Sequence, residues 1–134
     1  MSTLRIAFAE GRTAWRPGEE IVGTAFWQLD RQPRSVEARL CWRTEGKGSE
    51  DSDVAATVRF EAPQMTESRE FRFVAPNEPH SFSGRILSLV WNVELEAGGD
   101  VERVEIVIGP DGKKIVLGKV EKEAAEAPVL PVVR

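Results

Sequence analysis

The most regular alternation in the chain lies at Ser35-Val36-Glu37-Ala38-Arg39-Leu40-Cys41-Trp42-Arg43, where apolar and polar side chains take turns. The apolar set is Val36, Ala38, Leu40 and Trp42, and the other set is Glu37, Arg39, Cys41 and Arg43. Because successive side chains of a strand point to opposite faces, this period of two is typical of a half-buried strand. The stretch therefore predicts an antiparallel sheet with one face in a core and one face in water.

The same period recurs along most of the chain. It predicts further strands at 4–9, 21–29, 54–60, 67–74, 86–96, 101–108 and 114–120, separated by turns rich in Gly, Pro and Asp. The turn at 109–112, with the sequence GPDG, predicts that the last two of these strands pair as a hairpin. Seven or eight strands with almost no helix predict an all-β fold, an antiparallel immunoglobulin-like β-sandwich.

Length and charge limit the classes of protein that need to be considered. The 134 residues fit one domain, predicted to span 1–120, followed by a flexible or edge-docking tail at 121–134. The formal charge of −4 and the lack of a block of Lys or Arg argue against nucleic acid as the main partner. The sequence has no apolar run long enough to span a membrane and no apolar stretch near its start, so we expect a cytoplasmic protein.

Candidate catalytic and metal-binding groups are few. His80 is the sole histidine, and Ser81 and Ser83 on the same loop are poorly spaced to act with it, so we interpret it as a loop residue. Carboxylate pairs occur at 19–20, 50–51 and 94–96, where they fit turns and solvated strand faces better than a hydrolase site. The acidic loop at 50–53 lacks the spacing of a calcium loop, and we predict no cofactor and no metal.

Tryptophan and cysteine leave two questions open. Trp42 and Trp91 fall on the apolar faces of their strands, which favours the core, whereas Trp15 and Trp27 are harder to place. If they are exposed, Trp15 and Trp27 are candidate anchors for a partner protein or stacking surfaces for sugars, so a carbohydrate-binding module is the alternative function. Cys41 is either a reactive thiol beside two arginines or an inert buried residue.

Several motifs occur in the order found in a known family. They are Trp15-Arg16-Pro17-Gly18-Glu19-Glu20-Ile21-Val22-Gly23, Ser35 to Leu40, Phe71-Arg72-Phe73, the Pro76, Pro79, Ser81 and Gly84 loop pattern, and Leu89-Val90-Trp91-Asn92-Val93. This set resembles the N-terminal domain of the arrestin-like superfamily, over roughly Leu4 to Lys119. Trp91 stands where that family usually has tyrosine.

The resemblance implies a β-sandwich of the arrestin type and a non-catalytic adaptor or scaffold that binds proteins. In that family Pro17, Gly18, Gly23, Pro76, Pro79, Ser81, Gly84 and Trp91 match scaffold positions. The chain has no match to the paired lysines that sense phosphate in visual-type arrestins, and it carries one sandwich domain instead of two. It therefore looks more like a bacterial member, such as the sporulation-control proteins.

The predicted binding surface is the concave sheet with the loop around His80. Its candidate residues, besides Trp15 and Trp27, are Arg39, Arg43, Arg59, Arg72 and His80. We expect a protein partner, which includes a second copy of the same chain.

Overall fold

The computed structural model describes residues 2–46, 51–83, 87–113 and 115–116. Their strands are β1 (Thr3–Phe8), β2 (Ala14–Trp15), β3 (Glu20–Gln28), β4 (Val36–Gly46), β5 (Ser52–Phe60), β6 (Thr66–Val74), β7 (Phe82–Ser83), β8 (Leu87–Ala97), β9 (Asp100–Ile108) and β10 (Ile115–Val116). A single 3-10 turn at Ala9–Gly11 is the helical element within these residues. The structure is thus almost entirely β, as the alternation predicts.

The strands form two sheets. The small sheet has the order β1-β3-β6, and the large sheet follows the order β10-β7-β8-β4-β5, with β9 also paired to β8 and β2 paired to β9. All pairings are antiparallel except the short β2–β9 and β7–β10 pairs. The predicted antiparallel β-sandwich is confirmed.

The core lies between the two sheets. Strand β4 contributes Val36, Ala38 and Leu40, and β8 contributes alternate residues from Leu89 to Leu95, all buried. The small sheet faces them with residues of β3 and β6, including Ile21 and Phe71. Because one face of every central strand is apolar, the burial of these side chains fixes the register of the sheets.

The motif residues hold the sandwich together at its turns. Gly18 has a φ of +87° and its N–H donates to the carbonyl of Ala75 over 2.7 Å, which ties the turn after Pro17 to the end of β6. Ser81 is buried, and its Oγ accepts a hydrogen bond from the N–H of Ile108 over 3.0 Å. Trp91 is in the core and its Nε1 donates to the carbonyl of Pro79 over 2.7 Å.

Gly23 marks the place where β3 passes under an aromatic ring. A Cβ added there would lie 2.5 Å from Cζ of Phe71 and 2.8 Å from the carbonyl oxygen of Ala7. Pro76 and Pro79 lie half-buried in the crossover loop that follows β6, and the bond before Pro79 is cis. Gly84, the last residue of the predicted loop motif, lies outside the described residues.

The predicted hairpin after β9 is wrong. The turn itself forms, because the N–H of Gly112 donates to the carbonyl of Gly109 over 3.0 Å. However, β10 pairs in parallel with β7 and not with β9. β9 instead pairs with β8, to which it is joined through the turn at Gly98 and Gly99, and its last two residues pair with β2. The predicted tail at 121–134 lies outside the described residues.

Candidate protein-binding surface

The outer face of the large sheet carries an ion-pair network that crosses four strands. It consists of Arg59 on β5, Glu37 and Arg39 on β4, Glu94 and Glu96 on β8, and Arg103 on β9; we call it the arginine–glutamate ladder. These residues alternate with the core residues of the same strands, so they point away from the small sheet. The ladder lies on the surface that the alternation at 35–43 predicts to be solvated.

Arg39 is the centre of the ladder. Its guanidinium lies 3.0 Å from Glu37 Oε1, 3.4 Å from Glu94 Oε1 and 2.8 Å from Glu96 Oε1. The strand register produces this arrangement, because Arg39 is directly opposite Glu94 and Glu37 is directly opposite Glu96. Cross-strand pairs of opposite charge stabilise a sheet, and each guanidinium presents several donors in one plane.

The outer strands complete the ladder. Arg59 donates two hydrogen bonds to Oε2 of Glu37, at 3.0 and 2.6 Å, and Arg103 donates from Nε to Oε2 of Glu94. Three arginines therefore face three glutamates across the sheet. The surface of the ladder is therefore highly polar but close to neutral. If only its arginines were considered, a basic patch would be predicted.

The protonation of the ladder follows from these contacts. The hydrogen bond from Arg59, with the nearby charges of Arg59 and Arg39, holds the pKa of Glu37 below its ordinary value of 4.5 against the opposing effect of burial. Burial on its own lowers the pKa of Arg39, but its hydrogen bonds and charge interactions with Glu96 and Glu94 outweigh burial and raise that pKa. Both groups are charged at neutral pH.

A depression of about 630 Å³ lies beside the ladder, which we call the outer depression. It is lined by Cys41, Trp42, Arg43, Ser52, Asp53, Val54, Asn92, Glu94 and Arg103. The register explains it: Cys41 is opposite both Val54 and Asn92, so three short side chains stand in one row next to the long side chains of the ladder. The β4–β5 register shifts between Leu40 and Cys41, next to this row.

Asn92 is the unusual residue of the outer depression. It is only 3% exposed, and its Oδ1 is buried without a hydrogen-bond partner in the part of the chain that the structure describes. Most buried polar side-chain atoms have a partner, because an unpaired one costs free energy. The sequence pattern did not identify Asn92 as a candidate functional residue. The signal it contained was a polar side-chain amide among the apolar residues of β8.

Cys41 is an inert thiol in this setting. Burial, followed by the charge of Glu94, raises the pKa of Cys41 to about 11, and the nearby Arg39 and Arg103 only partly oppose this. A thiol with that pKa is protonated at neutral pH, and the thiolate is the reactive form. Of the two interpretations that the sequence leaves open, the structure favours the inert buried cysteine.

The predicted arginines do not all share one surface. Arg39, Arg43 and Arg59 lie on the large sheet, and Arg43 donates to Glu45 at 3.0 Å from Nε. Arg72 instead lies on β6 of the small sheet, where its Nη1 is 3.0 Å from Glu20 Oε1. The prediction that placed Arg72 on the same sheet is wrong, because β6 pairs with β3 and alternation alone cannot assign a strand to one of two sheets.

His80 lies half-buried in the crossover loop, between Pro79 and the buried Ser81. Its loop is fixed on both sides, by the bond from Trp91 to the carbonyl of Pro79 and by the bond of 2.7 Å from the N–H of Ser81 to the carbonyl of Ile108. No contact between His80 and the ladder is found in the described residues. A role of His80 in binding a partner therefore remains a prediction.

The predicted roles of Trp15 and Trp27 as exposed anchors are wrong. Trp15 is 1% exposed and Trp27 is 0% exposed. Trp15 packs edge-on against Phe8 with ring centroids 5.2 Å apart, and Nε1 of Trp27 donates to the carbonyl of Gln64 over 2.8 Å. Because both indoles are enclosed by the core, neither can stack on a sugar or contact a partner. The two tryptophans therefore do not support the alternative function, a carbohydrate-binding module.

Two of the three predicted acidic pairs, 19–20 and 94–96, form ion pairs, and Glu50 of the third pair lies outside the described residues. Glu94 and Glu96 both bind Arg39, Glu19 is 2.7 Å from Arg12, and Glu20 is 3.0 Å from Arg72. Among the described residues no group of three or more His, Cys, Asp and Glu side chains is placed to hold a metal ion. Within the same residues, no helix has the length and apolar character needed to cross a membrane.

The two sheets, the crossover loop and the strand order form a β-sandwich with the arrestin-like fold. Among solved structures, the chain is similar to Spo0M, the sporulation control protein from Bacillus subtilis, with a TM-score of 0.57 and 17% sequence identity. The match covers 80% of this chain and 49% of Spo0M, so the chain spans about half the length of that protein. At this identity, the similarity shows the fold alone.

Weaker similarities include enzymes. A β-glucosidase from Listeria innocua in complex with gluconolactone has a TM-score of 0.45 and 14% identity, over 81% of this chain and 16% of the enzyme. The alkylpurine DNA glycosylase AlkC from Pseudomonas fluorescens has a TM-score of 0.42 and 8% identity, over 80% of this chain and 30% of the enzyme. Neither carries an argument about function. No protein-family model and no curated protein matches the sequence.

Proposed function

We propose that this chain is a non-catalytic regulatory adaptor or scaffold that binds another protein through the outer face of its large sheet. The observation that carries the proposal is the arginine–glutamate ladder with the outer depression beside it. Together they form a polar surface centred on β4 and β8, the two strands of 11 residues. Polar, arginine-rich surfaces with a recessed centre suit protein recognition.

Two further observations support a binding role over a catalytic one. The three carboxylates of the ladder are bound to arginines, which keeps them charged and occupied, whereas a general acid or base needs a pKa tuned to proton transfer. The single histidine is part of a loop that is fixed to the core. The fold that the chain shares with a sporulation control protein also fits a regulatory role in a bacterial cell.

The cytoplasm is the compartment we propose for this role. Cys41 is a free, buried thiol, which is compatible with a reducing environment. The neutral character of the outer face and the overall charge of −4 also favour a protein partner over nucleic acid.

A pair of matched charge reversals tests the proposal. Arg59→Glu changes an exposed, ion-paired arginine on the large sheet, and Arg72→Glu changes an equivalent arginine on the small sheet. Proteins captured from the native cytoplasm by the unmodified chain are identified, and the affinity of each purified candidate is measured with the three forms of the chain. We expect Arg59→Glu to weaken binding and Arg72→Glu to leave it unchanged. Equal affinities for all three forms would contradict the proposal.

Self-association is a second candidate, favoured by the sheet edges. β1 and β6 are the edge strands of the small sheet, and β5 is the last strand on its side of the large sheet. β5 and β6 carry two of the exposed large hydrophobic residues, Val54 and Val74. Since an unpaired edge can accept a further strand, a second copy of this chain is a possible partner. Light scattering over a range of concentrations would detect the dimer.

A further inference from the structure

The outer face of the small sheet carries a shallow depression of about 320 Å³, which we call the small-sheet depression. It is lined by Arg5 and Ala7 of β1, Thr24 and Phe26 of β3, and Ser68 of β6. The strand register explains this set, because Arg5, Phe26 and Ser68 stand in one cross-strand row and Ala7 is opposite Thr24. Small side chains therefore surround one aromatic ring and one arginine on a face that points away from the core.

Arg5 is the one charged side chain among these five residues, and an aromatic ring positions it. Its guanidinium carbon lies 5.3 Å from the centroid of the Phe26 ring, which is a cation–π contact. This contact brings the positive charge from β1 towards β3, over the middle of the depression. The ring covers one face of the guanidinium, whereas the five N–H donors lie in the guanidinium plane and stay available to an acceptor.

No carboxylate in the part of the chain that the structure describes pairs with Arg5. An adjacent row of the same face ends in Glu70, and that carboxylate lies 2.9 Å from Nη2 of Arg72. Arg72 also binds Glu20, over 3.0 Å, so these two neighbouring carboxylates already have a partner. The small-sheet depression therefore holds one uncompensated positive charge, whereas the charges of the arginine–glutamate ladder cancel.

We propose that the small-sheet depression binds an acidic side chain of a partner protein, presented by an extended segment that lies across the small sheet. A carboxylate accepts charge-assisted hydrogen bonds from a guanidinium, and these are stronger than hydrogen bonds between neutral groups. The exposed hydroxyls of Thr24 and Ser68 at the rim can donate further hydrogen bonds to the segment. The aromatic floor keeps water from one face of the ion pair, which strengthens it relative to a pair in open water.

The same observations disfavour other occupants. A sugar ring would need the outward face of Phe26 for stacking, and the guanidinium of Arg5 covers that face. A nucleic acid backbone is bound by several cations together, whereas the depression supplies one. A drug-sized ligand is enclosed over most of its surface in its site, and this depression is too shallow for that, so the acidic group belongs to a larger molecule.

The proposed site lies on the opposite outer face of the sandwich from the arginine–glutamate ladder. The two faces can be occupied at the same time, as an adaptor that joins two proteins requires. The joining role rests on the proposed function, whereas the acidic-segment site rests on Arg5 and Phe26.

The test is an NMR titration of the isotope-labelled full chain with the peptide acetyl-Ala-Glu-Ala-amide, whose glutamate carries its one charge. We expect saturable shifts of the Nε–H of Arg5 and of the backbone amides of Phe26 and Ser68. The matched glutamine peptide, which keeps the shape but not the charge, should bind about tenfold more weakly, because its hydrogen bonds are not charge-assisted. The matched lysine peptide should cause no saturable shifts at these residues.

Two arginine variants separate the site from the overall charge of the chain. Arg5→Gln should weaken binding of the glutamate peptide about tenfold, because it removes the cation that assists the hydrogen bonds. Its Tm should stay close to that of the unmodified chain, since Arg5 is exposed. Arg34→Gln makes the same change of charge at an exposed arginine outside the depression, and it should leave the titration unchanged.

Three results would overturn the inference. They are the absence of saturable shifts near Arg5, equal affinities for the glutamate and glutamine peptides, and equal effects of Arg5→Gln and Arg34→Gln. Shifts that cluster around Arg39 would also overturn it, because the acidic group would then bind the ladder. If the peptide fails but a captured partner still distinguishes Arg59→Glu from Arg72→Glu, the acidic-segment site is lost and the adaptor role stands.

Discussion

Gly23 shows how one residue allows close contact between neighbouring strands of the small sheet. A methyl group at this position would lie 2.5 Å from the ring of Phe71 and 2.8 Å from the backbone oxygen of Ala7. The ring can shift only into a packed core, where Phe71 already contacts Phe8 and Phe73. The small size of this glycine, and not a special backbone angle, is what the fold requires.

We predict that Gly23→Ala lowers the free energy of unfolding by about 1–3 kcal/mol, because the added methyl group overpacks the core. Urea unfolding followed by tryptophan fluorescence measures the change. The control is Thr24→Ala, the next residue of β3, whose side chain is exposed. A Gly23→Ala protein as stable as the control would show that Gly23 is not in close contact with the Phe71 ring and the backbone of β1.

Cys41 gives a second prediction for a single residue. With its pKa raised to about 11 by burial and by Glu94, the thiol should be almost fully protonated at pH 8. We expect an aromatic disulfide reagent to react about 100-fold more slowly with the native chain than with the urea-unfolded chain, because the thiolate is the nucleophile. Similar rates in both states would contradict the buried placement of Cys41.

The arginine–glutamate ladder belongs to the scale of whole strands, because the pairing of β5, β4, β8 and β9 brings its members together. In the folded chain the pKa of Glu37 lies below its ordinary value of 4.5. A group of this kind contributes stability that is fully present above the unfolded-state pKa and is lost as the pH falls through the folded-state pKa. The ladder should therefore stabilise the sheet at neutral pH and weaken it in acid.

We predict that Glu37→Gln lowers the free energy of unfolding at pH 7 by about 1 kcal/mol, a value near the upper end for ion pairs at a surface. The difference from the unmodified chain should shrink as the pH is lowered from above 4.5 to below the depressed pKa of Glu37. Denaturant unfolding at a series of pH values checks this. Glu20→Gln is the control, since Glu20 pairs with Arg72 on a more exposed surface. A constant difference at every pH would rule out the ladder as its source.

At the scale of the whole molecule, the buried hydrophobic residues that the structure describes run from Trp15 to Ile108. This range lies within the domain predicted at 1–120. We predict that a chain ending at Val120 keeps its free energy of unfolding to within about 0.5 kcal/mol, because termini seldom contribute to a core. Thermal unfolding measures the stability. A large loss would mean that residues 121–134 are part of the sandwich.

Light scattering on the same two chains tests the tail as a docking segment. A full-length dimer that becomes monomeric on truncation would show that the tail adds to the sheet of a neighbouring copy. An unchanged mass would show that any self-association uses the strand edges of the domain itself.

The sequence predicted the strands because their alternation is a local property. The clean periods at Val36–Leu40 and Leu89–Leu95 correspond to buried positions of β4 and β8 in the structure. It could not assign strands to sheets, which is why Arg72 was placed with Arg39, and the GPDG turn could not reveal that the chain crosses to β7 after it. Those choices depend on contacts between residues far apart in the sequence.

The binding surface was less predictable for a related reason. Each arginine reads as an isolated positive charge in the sequence, whereas cross-strand pairing neutralises Arg39 and Arg59 with glutamates. Trp15 was hard to place because it lies in a connection beside a turn, and Trp27 was hard to place because its strand carries apolar residues on both faces. Asn92 was missed because its lack of a partner is visible only in three dimensions.

The central claim is that a protein partner is recognised on the outer face of the large sheet. The most direct measurement is an NMR titration of the labelled chain with a purified partner obtained by capture, with the backbone amide shifts mapped onto the fold. We predict that the shifted residues cluster on β4, β5, β8 and β9, around Arg39 and Asn92. Shifts that cluster on the small sheet, around Phe26 and Arg72, would contradict the account.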